Sequence, residues 1–510
     1  MSTEMTQTDA LTHAIQARLA APLTRDDGID LHAELDAVLG DVGMTGADAG
    51  GTITFTGADP IADSRLALAS AASLGLVAKS VALARLWRAM GGDGQDIAMD
   101  LRVAPRRLCP FYEGRWELAN GYPAGNDFDV ATALRHTSLY RCGDGRWVLP
   151  QAQYPKLRRT ALKLLGVPDD REAVTAAVAR WQSAELEEAG AAAGVVMPVV
   201  RSFAQFAAEE QYAHLAASPL IELERTGDAD PVPLPAATDQ PLTHVRALGL
   251  GHVIAGAGIG RTLALHGADV LNVWRPLEYE SPAAYHSAQY GVRSSVVAYK
   301  HPKGRDQLHA LLAGADVFYA NRRPAMLDAL GLTAEQLAES HPGTIHATVS
   351  PHGRSGPWAE RPGFDQTAGS VAGLFVVEGD EETPQIPVIT VVNDWIVPWL
   401  VTAGVAAALE RRATEGGSWR VHVSLTRVAL WILQLGIFDR GYVAQTAGAG
   451  AGEQHEYRAP ELMHSDGPLG RYQGVTDQVR MSATPGAYRF GLLPMGAARP
   501  EWLDRTRTAT

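Results

Sequence analysis

Apolar runs alternate with amphipathic stretches through the second half of this 510-residue chain. Segments 244–250, 269–274, 294–299, 316–320 and 344–349 predict strands, and 261–266, 304–313 and 325–330 predict helical pieces between them. Strands and helices in that order predict a parallel α/β sheet, because parallel neighbours must be joined by a crossover. The first half reads differently, with helix-rich blocks at 63–104 and 158–211, the second containing the Ala- and Glu-rich stretch 173–194. Between the halves the Pro-rich stretch 228–242 interrupts all helical periodicity, as a linker or a surface crossing, and the main boundary is placed there.

A weak internal repeat crosses that boundary. Ala84-Arg85-Leu86-Trp87-Arg88, the glycine turn at Gly92-Asp93-Gly94-Gln95 and Asp100-Leu101-Arg102-Val103-Ala104 parallel Leu409-Glu410-Arg411-Arg412, Gly416-Gly417 and Ser424-Leu425-Thr426-Arg427-Val428-Ala429. Both copies read as helix, glycine turn, strand. In the same register Asp394 falls opposite Ser70, so an acidic position is not duplicated, and the chain reads as two related halves with one working site.

Composition narrows the class. With 46% hydrophobic and 20% charged residues the chain is globular, and its formal net charge of -13 argues against a non-specific nucleic-acid binder. No signal peptide is readable at the N-terminus, and the longest apolar run, 397–409, is too short to span a bilayer, so a cytoplasmic location without membrane partners is expected. Only Cys109 and Cys142 occur, with no CxxC and no Cys/His cluster, so neither a disulfide framework nor a metal site is read.

The candidate chemistry centres on Arg361-Pro362-Gly363-Phe364-Asp365-Gln366-Thr367-Ala368-Gly369, which sets one carboxylate on a glycine-flanked turn before an apolar helical run. Such a carboxylate is commonly an N-cap, worth about 1 kcal/mol. Asp394, after Asn393, presents the same choice between a helix-start residue, with Asn393 as cap, and a second acid in the site. Gly256-Ala257-Gly258-Ile259-Gly260-Arg261 reads as a dinucleotide-type turn or as tight packing of a helix on a sheet. The strand after it ends in Trp274-Arg275, which suits an adenine ring with a ribose phosphate. His352, on the loop before Asp365, is a candidate acid or base.

The succession Ile254-Ala255-Gly256, Leu265-His266-Gly267-Ala268-Asp269-Val270, Ala315-Asp316-Val317, Asn321-Arg322-Arg323-Pro324, Leu330-Gly331-Leu332, Gly356-Pro357-Trp358, Gly363-Phe364-Asp365, Asn393-Asp394 and Ser424-Leu425 resembles the class III coenzyme A-transferase family, which includes carnitine dehydratase-like and bile-acid-inducible proteins and the α-methylacyl-CoA racemases. The first half also resembles the family, but its later portion: Asp93-Gly94-Gln95-Asp96-Ile97, Tyr140-Arg141-Cys142-Gly143-Asp144-Gly145-Arg146-Trp147 and Gly194-Val195-Val196-Met197-Pro198-Val199. Small-domain signals therefore precede nucleotide-binding signals, as in a fused or rearranged two-half form. The resemblance implies a Rossmann-like parallel-sheet large domain with a helix-rich smaller domain. It divides the chain into a helix-rich degenerate half (1–135), a small domain (136–240), a CoA-binding catalytic domain (241–430) and a C-terminal extension packing across domains (431–510).

The same resemblance implies that Asp365 is a nucleophile forming an aspartyl-CoA thioester while CoA moves from an acyl-CoA donor to a carboxylic acid acceptor. His352 and Asp394 would serve as acid or base. Val253, Gly256, Gly258, Trp274, Arg275, Arg293, Asn321 and Arg323 would contact CoA, a substrate rather than a tightly bound cofactor. The sequence departs from the family at Gly291-Val292-Arg293-Ser294 and at Ala329, where basic residues are usual. Acyl-CoA racemisation and non-catalytic CoA binding are the alternatives; Gly363-Phe364-Asp365, where racemases tend to carry His before Asp, favours transfer. An NADP-dependent reductase lacks its proton-donor pair. Interlocked dimers are the family habit, and here both a homodimer and an intramolecularly interlocked monomer stay open.

Overall fold

The computed structural model describes residues 6–25, 28–124, 138–450 and 453–504. Its strands that matter here are β1 (Gly50–Thr56), β2 (Gln95–Asp100), β3 (Glu222–Gly227), β4 (Arg246–Leu250), β5 (Asp269–Trp274), β6 (Arg293–Val296), β7 (Val317–Ala320), β8 (Ile345–Ser350), β9 (Ser418–Ser424) and β10 (Val479–Met481). Four helices position the site: α1 (Leu68–Ala89), α2 (Ala255–Leu265), α3 (Asp365–Ala372) and α4 (Ile396–Glu415). The large sheet has the order β6-β5-β4-β7-β8-β9-β3, parallel throughout except for the antiparallel edge strand β3. The chain is thus an α/β protein built on a Rossmann-like parallel sheet.

The order of β4 through β8 follows the hydrophobic alternation, with two departures. The glycines at 256, 258 and 260 lie inside α2, which begins at Ala255 rather than at Arg261. Glycine is costly in a helix, by about 1 kcal/mol relative to alanine, and is kept here for contact. A Cβ on Gly258 would stand 3.0 Å from Pro398 Cγ, and one on Gly260 2.2 Å from the Tyr319 hydroxyl. The stretch from Ser424 to Ala429, read as a strand, is instead the start of the helix Leu425–Leu435, capped by Ser424; the strand of that repeat is β9. In the first copy the strand likewise ends at Asp100, before a 3-10 turn at Ala104–Arg107.

The two halves share one core. Helices α1 and α4, the long helices of the two repeats, pack together so closely at Gly75 of α1 that a Cβ there would stand 3.1 Å from the Trp399 ring. Arg85 and Glu410 tie their ends with two hydrogen bonds, of 2.7 and 3.1 Å. Among the described residues helix α1 is long and apolar enough to cross a membrane, yet 94% of its apolar window is buried inside the protein. The Pro-rich stretch 228–242 connects β3 to β4 of the same sheet, so it is a surface crossing. β1 and β2 form a small sheet with β10 from the C-terminal stretch. A separate hydrophobic cluster gathers Tyr140, Val148, Ala161, Val174, Leu186, Met197 and Val199 into the helix-rich smaller domain.

Candidate active site

Asp365 opens α3, but it does not cap it. Its Oδ2 accepts hydrogen bonds from the backbone N–H groups of Val392 (3.0 Å), Asn393 (2.5 Å) and Asp394 (2.8 Å), on the turn that leads into α4. The helix start is served instead by Thr367, whose hydroxyl accepts the Phe364 N–H. Among the described residues no hydrogen bond reaches Oδ1, which leaves one carboxylate oxygen for chemistry. The side chain is only 3% exposed.

Two opposed forces set its charge. Burial disfavours the carboxylate and the three N–H donors favour it; burial wins, and the group is pushed up to about 6. Asp394, 5% exposed, is pushed well above the ordinary range by burial and by the Asp365 charge. The two carboxyls are coupled, and the negative charge is favoured on Asp365, which has the three N–H donors, and disfavoured on Asp394. Asn393 is fully buried, and its amide makes no hydrogen bond of ordinary geometry among the described residues, so it caps nothing, yet it lies close enough to Asp365 to favour the carboxylate. That leaves an unused N–H2 donor beside the carboxylate.

The smaller domain closes over this turn. Gln151 donates to Gln366 (2.9 Å) and accepts from Thr367, while Gln366 donates to the Thr390 carbonyl (2.6 Å). The Tyr154 ring stacks on Phe364 at 5.8 Å, and its hydroxyl donates to Glu280 (2.6 Å). Glu280 in turn accepts the N–H of Val253 (2.6 Å), which sits at φ +57° in the turn between β4 and α2. One aromatic side chain thus bridges the segment that carries Asp365 and the glycine-rich turn. Cys109, from the first half, lies near enough that the Asp365 charge adds to burial in pushing its thiol well up.

The residues expected to hold CoA divide sharply. Val253 and Asn321 are at the turn: the Asn321 amide accepts from the His252 N–H (3.1 Å) and donates to the His252 carbonyl (2.9 Å), clamping the loop after β4. Gly256 makes room for that amide, since a Cβ there would lie 2.2 Å from Asn321 Cγ. Gly258 faces α4 instead. Trp274 is fully buried in a cluster with Tyr285, Tyr290, Tyr472 and Leu492, so its ring has no face to offer an adenine. Arg293 is 7% exposed, pairs with Asp269 at 2.7 Å and reaches the Glu501 carbonyl, at the opposite ends of the strands from the glycine turn. Arg275 is half-buried against Glu278 (2.9 Å), and Arg323 is exposed, near the Gly194 carbonyl.

Arg322, which sequence reasoning passed over in favour of its neighbour, is the buried arginine of this corner. It donates to the Leu250 carbonyl (2.8 Å) and to Glu278 (2.6 Å), and its Nη2 has no partner among the described residues. Burial opposes ionisation of Glu278, but Arg322 and Arg275 outweigh it and hold the carboxyl down to about 2. The sequence signal was present as Arg322-Arg323; which of two adjacent residues points inward is decided by the pleat at the end of β7. Gln151, Tyr154, Glu278 and Glu280 carried no motif that would single them out.

His352 does not join Asp365. Its Nδ1 is 3.1 Å from the Thr426 hydroxyl, which itself donates to the Pro351 carbonyl, so the imidazole must donate there. Burial brings the ring down to about 3, so it is neutral, and it packs edge-on against Trp358.

A parallel sheet with a clamped turn after the first core strand and a buried carboxylate at a helix start places the chain among Rossmann-like α/β proteins. The family model of CoA-transferase family III matches residues 242–491, the segment that holds Asp365 and Asp394. Over 206 residues the chain is 31% identical to the cinnamoyl-CoA:phenyllactate CoA-transferase of Clostridium sporogenes, covering 37% of this chain and 49% of that one. It is 30% identical over 201 residues to the succinyl-CoA–L-malate CoA-transferase beta subunit of Chloroflexus aurantiacus, covering 37% and 50%. A solved CAIB/BAIF family protein from Brucella suis is 28% identical, with a TM-score of 0.35, covering 38% of this chain and 56% of that one. The chain spans about half the length of these curated relatives.

Proposed function

We propose that this chain moves coenzyme A from an acyl-CoA to a carboxylic acid, with Asp365 as the covalent carrier. The observation that carries the reading is the Asp365 carboxylate: buried, clamped through Oδ2 by three N–H groups, and free of hydrogen bonds at Oδ1. The family of the surrounding segment and the transferase names of its relatives support it.

The chemistry balances without an outside energy source. Oδ1 attacks the thioester carbonyl, the C–S bond breaks, and an acyl-aspartyl anhydride and a CoA thiolate result. The thiolate attacks the Asp365 carbonyl, the donor acid leaves as carboxylate, and an aspartyl-CoA thioester remains. The acceptor carboxylate attacks that thioester and expels the thiolate, which then takes the new acyl group and returns Asp365. Each tetrahedral oxyanion needs a donor; the protonated Asp394 carboxyl and the unused Asn393 amide are the groups on the same turn. Val253, Asn321 and Arg322 shape the turn after β4, where the nucleotide of CoA would lie, in place of Trp274 and Arg293.

The test is exchange of an isotope-labelled carboxylic acid into acyl-CoA, run over a panel of donors and acceptors. The wild-type chain should catalyse exchange, and Asp365→Asn should lower it by roughly a thousandfold or more. Exchange by Asp365→Asn at the wild-type rate would remove the proposal.

A further inference from the structure

Away from Asp365, a cavity of about 540 Å³ lies where the helix α2 meets the segment 461–488. Its size falls within the usual range of small-molecule sites, roughly 300–1,000 Å³. Most of its wall is apolar or aromatic, from Leu265, Tyr290, Met463, Met481 and Tyr488; its floor is polar, from Lys79, His266 and Asp477. The Arg480–Glu461 pair, both side chains more than half exposed, stands at the mouth.

The floor holds charge that the protein does not balance. The Lys79 ammonium is completely buried and makes one hydrogen bond, to Asp477 at 2.5 Å. Its other two N–H groups meet no acceptor among the described residues. His266 is 1% exposed, and neither ring nitrogen has a partner. Behind them Arg107 and Arg261, both fully buried, share Asp477 and Glu117 with Lys79, and Arg107 Nη1 is also without a partner. Three buried cations thus face two buried carboxylates. Burial pushes the Glu117 carboxyl up and the Lys79 and Arg107 cations down, so both signs of charge are strained in this cluster. An uncompensated buried charge is unfavourable, so the arrangement is costly unless something anionic completes it.

We propose that this cavity is a second binding site, separate from Asp365, for a small organic carboxylate with an apolar or aromatic body. The carboxylate would take a ring N–H of His266, with the buried Lys79 ammonium behind it supplying charge rather than contact, and the body would lie along Leu265, Met463, Met481 and the two tyrosines. A single negative charge matches the surplus of one cation; a dianion such as phosphate would also meet Asp477 at close range. The site does not depend on whether the chain transfers CoA, since none of its residues belongs to the turn around Asp365.

Photolabelling of the full-length chain with a diazirine-bearing hexanoate, mapped by peptide mass spectrometry, tests it, with hexanoate and hexanamide as competitors. The label should fall on peptides within 461–488 and 261–290. Hexanoate should displace it at least roughly tenfold better than hexanamide, a difference of about 1.4 kcal/mol. His266→Phe should cut labelling by a similar factor without lowering the thermal midpoint by more than a few degrees; should that variant not fold, Met463→Trp, which fills the half-buried mouth, takes its place. Label confined to peptides around Asp365, equal competition by hexanamide, or labelling unchanged in the folded variant would each overturn the site.

Discussion

At the scale of single residues the account turns on how a carboxylate stays reactive when almost no solvent reaches it. Three backbone donors keep Asp365 ionisable, and burial raises it from the ordinary 3.8 to about 6. The folded chain therefore binds this proton more tightly than the unfolded chain does. Its contribution to stability is full below about pH 4 and is lost as pH rises through about 6, a loss of up to about 3 kcal/mol at neutral pH. Asp365→Asn keeps an acceptor for the three N–H groups and removes the charge. Denaturant melts should show the variant more stable than wild type at pH 8, by up to that amount, and indistinguishable from it at pH 4. Activity should move the other way: kcat/KM of the wild type should climb as pH rises through about 6, since the attacking form is the carboxylate, and a flat profile from pH 5 to 8 would count against Asp365 as nucleophile. Asp394→Asn removes a proton donor from the turn, and exchange should fall by roughly a hundredfold while the melting midpoint at neutral pH rises rather than falls, since burial already disfavours the Asp394 carboxylate.

Among the secondary-structure elements, the turn between β4 and α2 joins fold to function. Asn321 from the end of β7 clamps its backbone, and Gly256 leaves the space for that amide. Gly256→Ala should cost about 1–3 kcal/mol by overpacking and raise KM for acyl-CoA more than it lowers kcat, read from melts and steady-state kinetics on one preparation. The same region shows what sequence can reveal. β5 was legible from residue to residue, because Val270, Leu271, Val273 and Trp274 make a largely apolar stretch bounded by a glycine turn and a proline. The start of α2 was not, because three glycines in five positions read as a loop when the close contacts that require them are out of sight. Ser424–Ala429 misled for the opposite reason: a short apolar run fits a buried strand or a buried helix equally well. Trp274 was placed correctly on its strand and wrongly toward ligand, since the pleat that turns it into the tyrosine cluster is fixed by neighbours far away in sequence. Asp365 was legible as a residue, whereas its partners at 392–394 are backbone groups that no side-chain pattern marks.

Over the whole molecule, the two halves are joined by packing rather than merely in sequence. The apolar core runs from α1 into α4 without a break, and β3 from before the Pro-rich crossing completes the sheet that follows it. The crossing itself is largely exposed. Limited proteolysis within 228–242 should therefore give two fragments that stay associated through gel filtration, whereas fragments that separate would show that the halves are independent. Gln151 and Tyr154 of the same chain pack on Phe364, Gln366 and Thr367, the residues that flank Asp365, which puts the smaller domain beside the carboxylate.

The most direct measurement is the mass of the peptide that contains Asp365 after the pure chain is incubated with acyl-CoA and treated with hydroxylamine or borohydride. The account predicts a hydroxamate or an alcohol at Asp365, formed only with acyl-CoA and absent in Asp365→Asn. An unmodified Asp365 peptide in a preparation that is turning over would contradict it.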